Sequence, residues 1–438
     1  MPSVPELLDE LLEFLRIPSV STGGGDAAAL ARAADWVCQR IRAAGGTAEA
    51  LATERHPLAV GELPADAPGA PTVLVYGHFD VQDPGPLEAW TSPPFEPTIR
   101  DGRVYARGAA DDKGNFLPLL HVACELAARG ELPVNIRFLV EGEEEVSSGS
   151  ALEWIARDRV GADCAVVFDS VMIDERTPAL TVAARGMVMA KLVVRTGRRD
   201  VHSGLYGGAA LNAAHALHAV LAKVLPDAEG RVRLELADGV VAPTPEERES
   251  WRALPPGAEV LASVGARPVS PGAGAELWER TGAEPALDVN EIVVGEPRTI
   301  VPASARAAVS LRLAPGQRAA EAAAELERLL RSGAPEGAEV AIEMDLADPA
   351  LFDPGEPALR IAADALERAC GRAPVLLRIG GTLPVLAALA ERGIPTVLSG
   401  FVLDADAIHA PDESFRLESL RLAERAAREL YRGLAGLR

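Results

Sequence analysis

His78 and Asp80 close the segment Gly77-His78-Phe79-Asp80, and two acidic clusters follow it, Ala110-Asp111-Asp112-Lys113-Gly114 and Glu141-Gly142-Glu143-Glu144-Glu145. Each stands where an apolar run stops. An imidazole with several carboxylates is a donor set for zinc, manganese or cobalt. Carboxylates this dense repel one another unless cations neutralise them. The pattern points to a two-metal hydrolytic centre.

His78 and Asp80 lie two apart at a strand end, so they can share a face. His78 reads as a metal ligand and Asp80 as the acid that fixes its tautomer; a loop histidine capped by an aspartate is the blander alternative. Asp111 can span two cations with its two oxygens, whereas Asp112 also suits a helix N-terminus. Of the adjacent Glu144 and Glu145, one can bind metal while the other faces substrate as general base. Asp169 ends a wholly apolar run, where an unligated carboxylate is expensive. His409, in Ile408-His409-Ala410-Pro411-Asp412-Glu413, can supply a last nitrogen. His202 lies in the Gly-rich stretch His202-Ser203-Gly204-Leu205-Tyr206-Gly207-Gly208, which lets backbone approach a ligand closely. His56, His121, His215 and His218 have no such surroundings.

The elements that must position these groups alternate. Helical pattern covers about 5–16 and 27–44, the second closed by Gly45-Gly46. Short apolar runs at 72–76, 134–140 and 164–169 read as buried strands, with a helix after Lys113-Gly114 between the first two. Strands alternating with helices predict an α/β layer with a largely parallel sheet, whose ligands sit beyond the carboxyl ends of strands. The rhythm changes near Arg185-Gly186. Strands at 187–194, 305–313 and 338–344 with helices at 209–224 and 319–330 predict a smaller α+β domain inserted over 186–346. The first domain is then 1–185 with 347–438. Residues 243–282, rich in Pro, Gly and Glu with a short helix near 246–252, read as a surface excursion. The α/β pattern resumes with a strand near 396–398 and a terminal helix from about Leu417.

The 438-residue chain favours two domains. Its 43 basic and 64 acidic residues give a net charge of −21, which argues against nucleic acid or an anionic membrane as partner. No apolar stretch is long enough to span a bilayer. Met1–Pro5 shows no basic, apolar leader, and Cys38, Cys124, Cys164 and Cys370 are scattered, without a Cys-x-x-Cys pair. Reduced thiols and a cytoplasmic location are the expectation.

Six spaced motifs resemble the M20 metallopeptidases, a family of carnosinase-like dipeptidases, aminoacylases, glutamate carboxypeptidases and amino-acid deacylases. They are Tyr-Gly-His-Phe-Asp-Val-Gln (76–82), Ala-Arg-Gly-Ala-Ala-Asp-Asp-Lys-Gly (106–114), Glu-Gly-Glu-Glu-Glu (141–145), His-Ser-Gly-Leu-Tyr-Gly-Gly (202–208), Arg-Ile-Gly-Gly-Thr-Leu-Pro (378–384) and the His409 segment, with Asp169 in the same order. The resemblance implies a zinc-exopeptidase-like catalytic domain with an inserted, ferredoxin-like lid that dimerises. It implies two divalent cations per subunit, zinc first and manganese or cobalt as alternatives. Asp111 would bridge them, with His78 and Asp169 completing one site and Glu145 and His409 the other. Glu144 becomes the general base, Asp80 the orienting acid, and the Asp111–Asp112 peptide is expected cis. His202 corresponds to a lid histidine that reaches the partner subunit's site. Thr299, Arg312, Gly381 and Thr382 resemble residues that hold substrate, Arg312 taking a free C-terminal carboxylate. The implied substrate is a dipeptide or short peptide. The alternatives are an N-acyl-amino-acid deacylase or desuccinylase and, outside enzymes, a catalytically idle binding protein.

Overall fold

The computed structural model describes residues 6–437; the expectation for Met1–Pro5 falls outside them. The chain divides into two compact units, Met1–Val182 with Phe352–Leu377 and Ala388–Arg438, and Ala183–Leu351 with Arg378–Ala387.

In the first unit the apolar runs form strands Thr72–His78, Asn135–Glu141 and Cys164–Phe168, almost wholly buried. Continuous burial is what a sheet covered on both faces requires. These strands and Thr396–Ser399 form the parallel core of a nine-stranded mixed sheet. Leu58–Leu63 and Thr47–Leu51 extend it antiparallel at one side. Thr72–His78 has Asn135–Glu141 on one flank and Cys164–Phe168 on the other, so chain connections leave it in both directions and open a crevice at its carboxyl end. The helix Lys113–Arg129 lies over this strand. Gly77 makes that approach possible, since a Cβ there would stand 2.4 Å from Phe116 Cδ2. The terminal helix Leu417–Leu434 packs on Lys113–Arg129 and on Pro357–Cys370.

The second unit has a four-stranded antiparallel sheet in the order Ala286–Val294, Ser304–Leu313, Gly186–Arg195, Glu339–Ala347. Helices Ala213–Leu221 and Ala319–Ser332 share its core, built on Val188, Leu192, Leu217, Val309, Leu311 and Leu326. Along the chain these elements run strand, helix, strand, strand, helix, strand.

Three sequence readings need correction. The helix expected from Ala209 starts at Ala213, because Asn212 caps it by accepting the Ala214 N–H at 2.8 Å. Residues 243–282 are more than a surface excursion: they hold helices Pro245–Ser250, Gly257–Ser263 and Leu277–Gly282. Their Glu247 is buried in an ion pair with Arg378, at 2.6 and 3.1 Å. That pair also joins Arg378–Ala387 to the second unit, not to the first domain of 1–185 with 347–438 expected from sequence. Among the described residues no helix is long and apolar enough to cross a membrane. The four cysteines are free thiols.

Candidate metal centre

At the crevice of the first unit the strand ends deliver their polar groups together. His78 is the last residue of its strand and lies opposite Glu141 in the ladder. Its Nε2 stands 3.1 Å from Asp111 Oδ1. The other Asp111 oxygen, Oδ2, stands 3.0 Å from His409 Nε2, which is also 3.3 Å from Glu145 Oε2. Asp111 therefore spans two imidazoles with its two oxygens. Two groups have ligand atoms all within 4.8 Å of one another: His78, Asp111 and Asp169, and Asp111, Glu145 and His409. A third, His121 with Glu125 and Glu424, meets the same distance. Its carboxylates are already held by Arg428 at 2.5 and 3.1 Å and by Arg129 at 2.5 Å, which leaves no net negative site for a cation.

Asp80 is fully buried behind His78. Its backbone carbonyl lies 3.1 Å from His78 Nδ1 and its carboxylate 3.4 Å. The carboxylate accepts the Ser21 hydroxyl at 2.6 Å and the N–H groups of Glu144 and Glu145 at 3.2 and 3.1 Å. Asp80 thus orients the imidazole and also fixes the turn that carries both glutamates. Glu143, fully buried, shapes the same turn by accepting the Ser150 N–H at 2.7 Å. Gln82 donates to Glu145 Oε2 at 2.8 Å.

The electrostatics are those of an anion-rich pocket. Burial pushes Glu144 up to about 8, helped by Asp169, Asp111 and Glu145 and opposed by His78. Burial and the charges of Asp111 and Glu145 push Asp169 up to about 7. Burial would make His78 harder to protonate, but its bonds to Asp111 and Asp80 hold it well above the usual histidine range. Asp111 and Glu145 raise the half-exposed His409 to about 10. Asp112 occupies the helix N-cap position without capping; its Oδ2 accepts the His78 N–H at 3.4 Å and its buried Oδ1 has no partner. Carboxylates and imidazoles so arranged fit divalent cations of borderline character, which would supply the positive charge that these groups lack.

Glu413 was not singled out from sequence, yet it sets the position of Asp111. Fully buried, it accepts the N–H groups of Ala110 and Asp111 on Oε1 at 2.8 and 3.1 Å. Its Oε2 takes the Gly108 N–H at 3.0 Å and Arg107 Nη1 at 2.7 Å. The Asp111–Asp112 peptide that follows is cis. Lys113 likewise binds the Ile17 carbonyl at 2.7 Å and the Phe14 carbonyl at 3.2 Å, tying the helix Leu7–Leu15 to this loop.

The remaining expected residues lie in the second unit, in two groups. His202 and Thr299 meet in a short ribbon, in which Ser203 N–H donates to the Thr299 carbonyl at 3.0 Å. Arg312 donates to Thr382 Oγ1 at 3.1 Å, and that hydroxyl donates to the Arg185 carbonyl at 2.8 Å. Gly381 adjoins Thr382 and faces open space.

A mixed α/β sheet with carboxylate and histidine groups gathered beyond its strand ends has the donor set of a metal-dependent enzyme. The sequence matches peptidase family M20/M25/M40 over residues 74–432, and the chain belongs to that family. It is a peptidase hydrolase. It is 30% identical to a cysteinylglycine-S-conjugate dipeptidase of Corynebacterium striatum, over 97% of this chain and 95% of that one. It is 34% identical to a Beta-Ala-His dipeptidase of Homo sapiens over 204 residues, 45% of this chain and 40% of the human one. The fold superposes on the M20 family metallo-carboxypeptidase Sso-CP2 of Sulfolobus solfataricus with a TM-score of 0.85 and 25% identity, covering 98% and 99% of the two chains.

Proposed function

We propose that the protein is a co-catalytic di-metal peptidase that cleaves the amide bond of dipeptides or short peptides with a free C-terminal carboxylate. The observation that carries this is Asp111, one carboxylate set between two His and carboxylate groups. His78, Asp111 and Asp169 would hold one cation, and Asp111, Glu145 and His409 the other. Such cations, zinc first and manganese or cobalt as alternatives, lower the pKa of water and polarise a carbonyl.

The side chains divide the rest. Glu144 lies among the same groups, in the buried turn beside the proposed ligand Glu145, where a carboxylate can take and return a proton. It accepts the proton of the attacking water and passes it to the leaving nitrogen. Asp80 holds His78 and the Glu144 amide in place. Arg312, with Thr382, Gly381 and Thr299, takes the carboxyl end of the substrate, where a guanidinium can bind bidentately. The second unit is read as a ferredoxin-like lid, supported by its strand order and antiparallel pairing. It would dimerise, so that His202 meets the oxyanion in the neighbouring subunit. Four free thiols support a reducing, cytoplasmic compartment.

A dipeptide panel assayed beside N-acetyl and N-succinyl amino acids, with wild type and Glu144→Gln, tests this reading. Dipeptide turnover that the variant loses while keeping its metals is expected. Preference for the acyl compounds would make the protein a deacylase, and no turnover after metal reconstitution would leave only a binding protein.

A further inference from the structure

Arg185 is a second guanidinium beside Arg312, and its partners do not satisfy it. It is buried, yet its Nη1 reaches only the carbonyls of Arg280 and Glu284, at 3.4 and 3.5 Å. Its Nε has no partner at all. Among the described residues no carboxylate forms an ion pair with Arg185 or Arg312. Glu284 is taken by Arg231 at 2.5 Å, and Glu276 by Arg231 and Arg280 at 3.0 and 2.8 Å. Among the described residues Asp288 is the carboxylate whose charge favours the Arg185 cation. Burial and the charge of Arg312 outweigh it and push Arg185 down to about 10. A buried cation left this way is costly, and an anion brought beside it would relieve the cost.

The surroundings are built for approach. Arg185 precedes the strand Gly186–Arg195, and Arg312 lies across the ladder from Met187. The Arg185 guanidinium lies against the loop that follows Val375–Ile379, where a Cβ on Gly380 would stand 3.1 Å from Nη2. Beside Gly381 nothing lies within 4 Å of where a Cβ would be. Thr382 links the two arginines, receiving Arg312 Nη1 and donating to the Arg185 carbonyl.

One carboxylate uses one guanidinium fork, and two arginines, Arg185 and Arg312, border this loop. Resting on the assignment of Arg312 to the substrate's C-terminal carboxylate, we infer that Arg185 binds a second anionic group, so that the preferred peptides end in an acidic residue. The C-terminal carboxylate meets Arg312 and the Gly381-Thr382 segment, while an aspartate or glutamate side chain meets Arg185.

The test compares Ala-Glu with Ala-Gln, which differ in charge at nearly constant shape. For each enzyme preparation the ratio of the two kcat/KM values is measured, which cancels any inactive fraction. Wild type is expected to favour Ala-Glu by about tenfold or more, the effect of one hydrogen-bonded charge pair. Arg185→Gln should bring the ratio near one, and Arg185→Lys should retain part of it. Equal rates on both peptides in wild type, or an unchanged ratio in Arg185→Gln, overturns the inference while leaving the peptidase reading intact. Failure to cleave any dipeptide defeats that reading instead. In that case the ratio of Kd values for the same two peptides, measured by calorimetry on wild type and Arg185→Gln, decides on Arg185 by the same criterion.

Discussion

Glu413→Gln should unseat Asp111 without touching a proposed ligand. The carboxylate receives two donors on each oxygen: Ala110 and Asp111 N–H on Oε1, Gly108 N–H and Arg107 on Oε2. Glutamine keeps the volume but turns one oxygen into an NH2. In either amide orientation, two buried donors then face a donor. A hydrogen bond to a charged group is worth about 1.5–3 kcal/mol, so two lost together cost about 3–6 kcal/mol before relaxation. The loop can recover part of this only by moving, and Asp111 moves with it. The first unit should therefore unfold at lower urea than in wild type, and metal content per chain after dialysis against limiting zinc should fall. Glu424→Gln, on the same terminal portion of the chain but outside the centre, serves as the control. A Glu413→Gln protein with wild-type urea midpoint and full metal content would refute the positioning argument.

Other expectations follow from the same geometry. Glu144→Gln should keep both cations and lose about 10²–10⁴-fold in kcat, the usual weight of a general base; near-normal turnover by stopped assay excludes it from that role. Arg312→Ala should raise KM for dipeptides far more than it lowers kcat, and an unchanged KM removes it from the substrate's carboxyl end. The Glu247–Arg378 pair gives a pH signature. Burial would raise the Glu247 pKa, but Arg378 and the Thr244 amide hold it below its ordinary 4.5. A depressed folded-state value stabilises the second unit above 4.5 and loses that contribution as pH falls through the folded value. Urea midpoints taken above and below 4.5 should show this loss in wild type and less of it in Glu247→Gln; parallel curves would contradict it.

The centre was legible in the sequence because three of its parts end continuous apolar runs. His78 and Asp169 follow from where a buried strand must stop, and the glutamate turn from the end of Asn135–Glu141. His409 was readable only through its motif, since it sits in a loop, at positive φ like Asp412 three residues on. Glu413 left no readable signal, because it acts on backbone N–H groups some 300 residues earlier in the chain. Ala286–Val294 escaped because it is an edge strand whose residues are mostly exposed, with only Leu287 buried. Glu247 escaped because its polar neighbours look solvated, and its partner Arg378 lies 131 residues away. Arg185 reads from sequence as the end of one domain; its unmatched Nε and its place beside Gly380 show only in the fold.

The most direct measurement is anomalous diffraction from crystals grown with zinc, on wild type and Asp111→Asn. The account predicts two zinc peaks in wild type, one beside His78 and Asp169 and one beside Glu145 and His409, with Asp111 between them, and depleted peaks in the variant. Wild-type crystals with full zinc in the medium and no peak at either group would contradict it.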